Sequence, residues 1–231
     1  VSLVGKVEAP VLSEPPARVL EQRLSPERLG RYRTAVGGDL RQAIALYEWN
    51  ATISATFWST LGHLEVLIRN AMHQQLTAWS TASYAQPRWY LDPGRVFSDQ
   101  TRREIAKARG RATLNGRRPE TIGHVVAELS FGFWRYLLIS SYDRSLWPHL
   151  RHAWPSRQLR RDVYDPLAQL HDLRNRIAHH EPIYERPLKE LHAATLDVAG
   201  WTCPDTAAWI RSRCAVLDVL ARRPATIPRP R

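Results

Sequence analysis

An all-α fold is predicted by three features of the sequence. Apolar residues recur at three- and four-residue steps through most of the chain, the strict alternation of a half-buried strand is scarce, and helix start and stop signals punctuate the pattern. With 231 residues, 44% hydrophobic and 24% charged, the chain can bury a sizeable core as one domain or at most two. No stretch approaches the ~20 apolar residues of a membrane span, and the first residues lack the apolar segment of a secretory signal. A cytoplasmic protein with no membrane partner is expected. Cys203 and Cys214 are too few for a disulfide framework and lack paired CxxC spacing, so both are expected to be free thiols.

The elements follow in order. Residues 1 to 24 hold prolines and no sustained apolar period, and are expected to be an N-terminal tail. Ser25-Pro26-Glu27 reads as an N-cap with proline at the first helical position, opening a domain that runs to residue 222. Gly37-Gly38 is a stop, and Asp39 with Gln42 forms a capping box that places a helix start near Leu40. From about Asn50 to Trp79 the helical period is unbroken until residues 80–83 and Pro87 interrupt it. A basic region at 101–118 breaks at Gly110 and Asn115-Gly116. Pro119 is expected to open a helix through Phe131-Gly132-Phe133-Trp134 to about Tyr142, with the aromatic residues in the core and the glycine permitting close helix approach. Pro148 and Pro155 then interrupt, a helix runs from about Arg157 to Pro182, another from near Thr206 to Leu220, and residues 223–231 form a Pro/Arg-rich tail.

Charge points to a class of partner. Lys and Arg total 33 against 22 Asp and Glu, a net charge of +11, and nine tryptophans accompany them. Cationic side chains attract phosphate over long distances and aromatic faces stack on bases, so a nucleic acid suits this composition, as does a plain solvated surface. The candidate RNA contacts in the basic region are Arg102, Arg103, Lys107, Arg109, Arg111, Arg117 and Arg118.

Two short segments carry chemistry. In the first, Leu61, Leu64, Ile68, Ala71, Met72 and Leu76 make an apolar stripe, and Glu65, Arg69 and His73 climb one edge of it at four-residue steps. In the second, Leu167, Leu170, Leu173, Ile177 and Ala178 make the stripe, and Arg174 falls inside it. An unpaired buried guanidinium costs several kcal/mol, so Arg174 must meet a carboxylate, line a cleft or face a partner subunit. Asn175 and His179 share another face with Asp172 nearby, and Arg174 and His179 lie ~140° apart on an ideal helix. That separation shrinks if the helix loosens before Pro182, or if a cleft takes its Arg and His from two copies of the chain.

An imidazole can move a proton at neutral pH, and a guanidinium can hold phosphate oxygens while charge builds on phosphorus. Those are the parts of a metal-free ribonuclease in which the substrate's own 2′-OH attacks. No Walker loop, HExxH or GxSxG is present, so no cofactor or metal is expected. A metal set of His171, His179, His180, Asp172 and Glu181 is the competing reading, opposed by adjacent histidines pointing apart on a helix.

Arg174-Asn175-Arg176-Ile177-Ala178-His179 resembles the Rx4-6H motif of the HEPN superfamily, and residues 173–183, LRNRIAHHEPI, look like its Abi-like (abortive infection, AbiD and AbiF type) branch. Residues 46–50, 64–70 and 128–134 are similar to family landmarks as well, so the resemblance spans about 25 to 220. It implies an all-α HEPN-type helical bundle with additional helices, a homodimer that brings two motifs together, and RNA cleavage or RNA binding in phage defence or a toxin–antitoxin system. Under it Arg174 and His179 match the catalytic pair and Asn175 the polar position after the arginine. Glu65, Arg69, His73 and His180 form the expected supporting set. Toxins regulated by nucleotidyltransferase antitoxins carry a tyrosine two residues after the motif histidine, where this chain has Glu181. A small antitoxin RNA fits the charge better. The alternatives are a non-catalytic RNA-binding protein, with Arg174 stapled to a carboxylate such as Glu65, and a helical interaction protein with no RNA role.

Overall fold

Capping side chains mark the start of five of the helices among the described residues. The computed structural model describes residues 14–157 and 159–224, and among them no strand occurs. The first helix, α1 (Glu14–Leu24), corrects the expected N-terminal tail: Ala17 is fully buried and Leu20 and Leu24 pack on the core. Pro15 and Pro16 lie in its first turn, where the missing N–H groups would have had no intrahelical partner, so they permit the helix they were read as opposing. The expected tail elsewhere, residues 1–13 and 225–231, lies outside the described residues.

Helix α2 (Pro26–Ala35) starts as expected, with the Arg28 N–H donating to Ser25 Oγ at 3.2 Å. Gly37 and Gly38 follow it at φ 67° and 92°. Asp39 then accepts the Gln42 N–H at 3.0 Å and opens α3 (Leu40–Tyr84). The expected start near Leu40 and the periodic segment 50–79 are one uninterrupted 45-residue helix, about 68 Å long at 1.5 Å per residue. Ser98 caps α4 (Asp99–Ala112), which runs through Gly110, where a break was expected, because a helix tolerates a lone glycine at modest cost, and ends ahead of the expected Asn115-Gly116 turn.

The single helix expected from Pro119 to Tyr142 is instead α5 (Ile122–Ala127) and α6 (Phe131–Tyr136). The hydroxyls of Thr121 and Ser130 each accept the backbone N–H three residues on and start a helix of their own. Pro148 sits in the first turn of the short α7 (Trp147–Leu150) and opens a helix where an interruption was expected. Helix α8 (Arg160–Ala178) is shorter at both ends than the predicted 157–182. Helix α9 (Leu188–Thr202) is an element the sequence pattern does not predict, because no side-chain cap announces it. The predicted 206–220 helix divides into α10 (Pro204–Arg213) and α11 (Val216–Ala221) around an extended Cys214. Cys203 and Cys214 are free thiols.

Helix α3 is the spine. Its predicted stripe is buried, with Leu61, Leu64, Ile68, Met72 and Leu76 at most 1% exposed, and α1, α2, α6, α7, α8, α9, α10 and α11 all contact it. Helix α8 lays Val163, Leu167, Leu170 and Leu173 into the same core. Phe131, Phe133 and Trp134 are buried as predicted, and a Cβ on Gly132 would come within 2.9 Å of His171 Nε2, so the glycine does set the approach of α6 to α8. Among the described residues no helix is long and apolar enough to cross a membrane.

The chain leaving α8 is tied down by one amide. Asn50, 6% exposed on α3, accepts the Ile183 N–H at 2.8 Å and the Tyr184 N–H at 3.2 Å through Oδ1. Tyr184 in turn donates its hydroxyl to the Arg31 carbonyl at 3.2 Å. Ile183 and Tyr184 are buried, so without Asn50 two N–H groups lose their partner away from water. Asn50→Ala is expected to cost about 2–4 kcal/mol of stability, read as a lower urea midpoint at unchanged slope. A loss below about 0.5 kcal/mol would show that water or another acceptor replaces the amide.

Candidate functional site at the end of helix α8

The last turn of α8 ends the motif in a defined helix stop. Glu181 N–H donates to the Arg176 carbonyl at 2.8 Å and His180 N–H to the Ile177 carbonyl at 3.0 Å, the two bonds of a Schellman stop. His179 is therefore the C-cap, and His180 takes the left-handed position at φ 55°, where glycine is usual. The helix stops before Pro182, but the exposed His179 still donates its N–H to the Asn175 carbonyl at 3.0 Å, so it stays on the helical path, ~140° around from Arg174, and no loosening ahead of Pro182 brings the two together within one chain.

Arg174 occupies the core-facing stripe, as the wheel predicts, but at its rim. Its side chain is 31% exposed, its Nε lies 3.9 Å from Glu65 Oε2, and its guanidinium sits 5.1 Å from the centre of the exposed Trp58 ring. At 3.9 Å the carboxylate supplies charge without a hydrogen bond, and the guanidinium makes none to any described residue. Its donors remain open. Arg109 and Arg186 contrast with it, spending a donor on Glu120 at 2.6 Å and on Asp172 at 2.8 Å.

The imidazole near Arg174 is His171, which the sequence offers only as a member of the competing metal set. The Asn175 amide nitrogen lies 3.3 Å from its Nε2, and the Phe131 ring packs edge-on at 5.9 Å. Burial pulls its pKa below the ordinary histidine value; Arg135 and then Arg174 push the same way against Asp172. The available signal was spacing, since His171 precedes Arg174 by three residues and Asn175 by four. Asp172 bonds Arg176 at 3.4 Å and Arg186 at 2.8 Å, and Glu181 bonds Arg176 at 3.2 Å. Among the described residues no group of three His, Cys, Asp or Glu is placed to hold a metal ion.

The polar column on α3 divides, which corrects its assignment to one cleft. Glu65 faces Arg174, but Arg69 donates to the Ala127 carbonyl at 3.0 Å, and His73 Nδ1 accepts the Trp89 indole N–H at 2.9 Å. Steps of four residues advance about 6 Å each along the helix, so three residues on one edge meet three different neighbours. Burial lowers the His73 pKa.

The basic segment is largely neutralised within the fold. Arg102 pairs with Asp92 and Asp99, Lys107 with Glu104, Arg109 with Glu120 and Arg111 with Glu128. Arg103 bonds the Gln100 side chain, Arg117 the Leu114 carbonyl and Arg118 the Ala112 carbonyl, leaving these three as the candidate contacts without a carboxylate partner among the described residues.

Next to the end of α8 lies a cavity of about 650 Å³ between α2, α3 and the motif, with Tyr47, Asn50, Ser54, Trp58, His180 and Glu181 in its wall. Trp58 is thus shared between the cavity and the Arg174 site.

His180→Gly removes the left-handed strain and is expected to stabilise the protein by up to about 1 kcal/mol, part of the relief being offset by glycine's larger unfolded entropy. Thermal unfolding measures it, and a destabilised variant would mean that the imidazole itself makes a native contact. His73 and His171 predict a pH dependence. Both are held neutral in the fold and protonate near pH 6.5 when unfolded, so the unfolded chain binds more protons below that value. Their contribution is complete above about pH 6.5 and is lost as pH falls from there to the lowered folded values. Urea midpoints should drop between about pH 7 and pH 5, and His73→Gln should flatten the drop; an equal slope in the variant would exclude His73 as a source.

No protein-family profile matches the chain, and neither curated proteins nor solved structures yield a match.

Proposed function

We propose that this chain is an RNA-targeting protein of the Abi-like HEPN kind, a metal-independent endoribonuclease acting as a toxin in phage defence or a toxin–antitoxin system. The observation that carries the reading is Arg174: a guanidinium on the core-facing stripe of α8, near a carboxylate, with no hydrogen-bond donor spent on a described residue. Such a group binds two phosphate oxygens and stabilises charge developing on phosphorus. His179, exposed at the helix cap, transfers the proton. The 2′-oxygen of the RNA loses its proton to the base and bonds to phosphorus, the bond from phosphorus to the 5′-oxygen breaks, and that oxygen takes up a proton. The products are a 2′,3′-cyclic phosphate and a 5′-hydroxyl. Asn175 and His171 orient the face of α8 that holds Arg174, and Glu65 offsets its charge when no phosphate is bound.

The reading includes a homodimer. A cap histidine that points to solvent on one copy meets Arg174 of another if two α8 ends face each other, and each pocket then draws on both chains. A small RNA antitoxin is the partner that suits the charge, in the cytoplasm.

Purified protein is expected to cut RNA in EDTA and leave cyclic phosphate ends, with Arg174→Ala and His179→Ala each slower by about 100-fold or more and still folded. Mixing the two variants should restore cutting that neither shows alone if the pockets are shared. A panel of tRNA, rRNA and mRNA left intact by the wild type, in cells it does not poison, would overturn catalysis.

The proximity of Glu65 to Arg174 favours a second reading, a non-catalytic RNA binder in which the pair is a staple. Its mark is salt-sensitive RNA binding without turnover. In that case Arg103→Glu with Arg117→Glu should weaken binding at least about tenfold, while Arg174→Ala lowers stability and leaves RNA affinity intact.

A further inference from the structure

We infer that the cavity beside the end of α8 seats one unpaired nucleobase, belonging to the nucleotide whose phosphate Arg174 holds; the inference rests on the RNA reading above and names the substrate feature that reading leaves open. Three properties of the cavity carry it. Its wall is aromatic where it is open. Trp58, 46% exposed, and Tyr47 line it, and an exposed indole face at the mouth of a cavity is a surface on which a planar ring stacks.

Its polar groups suit the edge of a base. Asn50 has its Oδ1 committed to Ile183 and Tyr184, which fixes the plane of the amide, and its NH2 donates to no described residue. Ser54, one turn further on α3, has a hydroxyl with no hydrogen bond to a described residue. An oriented NH2 donor beside a hydroxyl that donates or accepts is the complement of a base's mixed edge.

The charged residues in its wall each have a partner within the protein, so the aromatic and amide surfaces are what the cavity offers an occupant. Arg28 spends a donor on the His180 carbonyl at 3.1 Å, and Glu181 is paired with Arg176 at 3.2 Å. Outside the cavity, Arg174 holds its donors open to an anion. Trp58 joins the two places, since Arg174 lies 5.1 Å from its ring and Ile177 and Ala178, one turn beyond Arg174, enter the cavity wall. One helical turn is about 5.4 Å, the scale of the step from a phosphate to its own base. A single-stranded segment is required, because a paired base cannot leave its stack to enter.

The test uses the full chain and compares AMP and UMP with ribose 5-phosphate, which carries the phosphate and sugar without a base, by calorimetry. At least one nucleotide should bind about tenfold or more tighter than ribose 5-phosphate. Ala55→Trp, a substitution at an exposed cavity-lining position that fills the space, should abolish the difference, and Trp58→Ala should reduce it. Arg174→Ala should weaken nucleotides and ribose 5-phosphate to the same extent. Equal binding of the base-free probe, a base advantage that survives Ala55→Trp, or no nucleotide binding would each overturn the inference, as would a concentration-dependent dimer lost in Ala55→Trp, which would make a second copy the occupant. RNA cutting is scored separately: a wild type that cuts RNA without a base advantage removes only the cavity's role, and one that prefers nucleotides but cuts nothing removes only catalysis.

Discussion

The hold of Asn50 on the chain beyond α8 is the constraint on which the rest of the arrangement depends. Through it the backbone of Ile183 and Tyr184 is hydrogen-bonded to the spine, and the Schellman stop at residues 179–181 is thereby set against α3. A helix end freed from this tie would fray, since its last carbonyls have no partners within the helix. With it, the positions of Arg174, His179 and His180 relative to Trp58 and Glu65 follow from the packing of two buried leucine-rich stripes.

Arg174 illustrates how a charge is kept near a core without being neutralised. Full burial would need a bidentate carboxylate, and full exposure would leave a flexible surface group worth little to a ligand. At the rim, a carboxylate 3.9 Å away and an indole face 5.1 Å away stabilise the cation while its donors stay open. The surrounding titrations follow the same logic. His171 is held neutral by burial and by two neighbouring guanidinium groups, so no second positive charge competes with the arginine at neutral pH.

The net charge of +11 is distributed less simply than the sequence suggests. Much of the basic segment around α4 is engaged by carboxylates that the fold brings from Asp92, Glu120 and Glu128, and those ion pairs join α4 to the loops on either side.

The all-α class, the caps at Ser25 and Asp39, the apolar stripes of α3 and α8, and the anomaly of an arginine in the second stripe were all legible in the sequence, because each depends on residues within one or two turns of one another. Helix α1 and the division of residues 119–142 were not, since proline is read as a breaker unless its place in the first turn is known, and a serine cap is silent inside an apolar run. The site was half legible. Its arginine, asparagine and histidine stood out by spacing, whereas the roles of Glu65, Arg69 and His73 parted company because neighbours 6 Å apart along a helix face different elements. The sequence by itself therefore determined which groups sit on which face of which helix. Only the tertiary structure decided which of them meet, because hydrogen bonds and ion pairs reach only a few ångströms, and the residues that close the site, Asn50 with Ile183 and Glu65 with Arg174, are far apart along the chain.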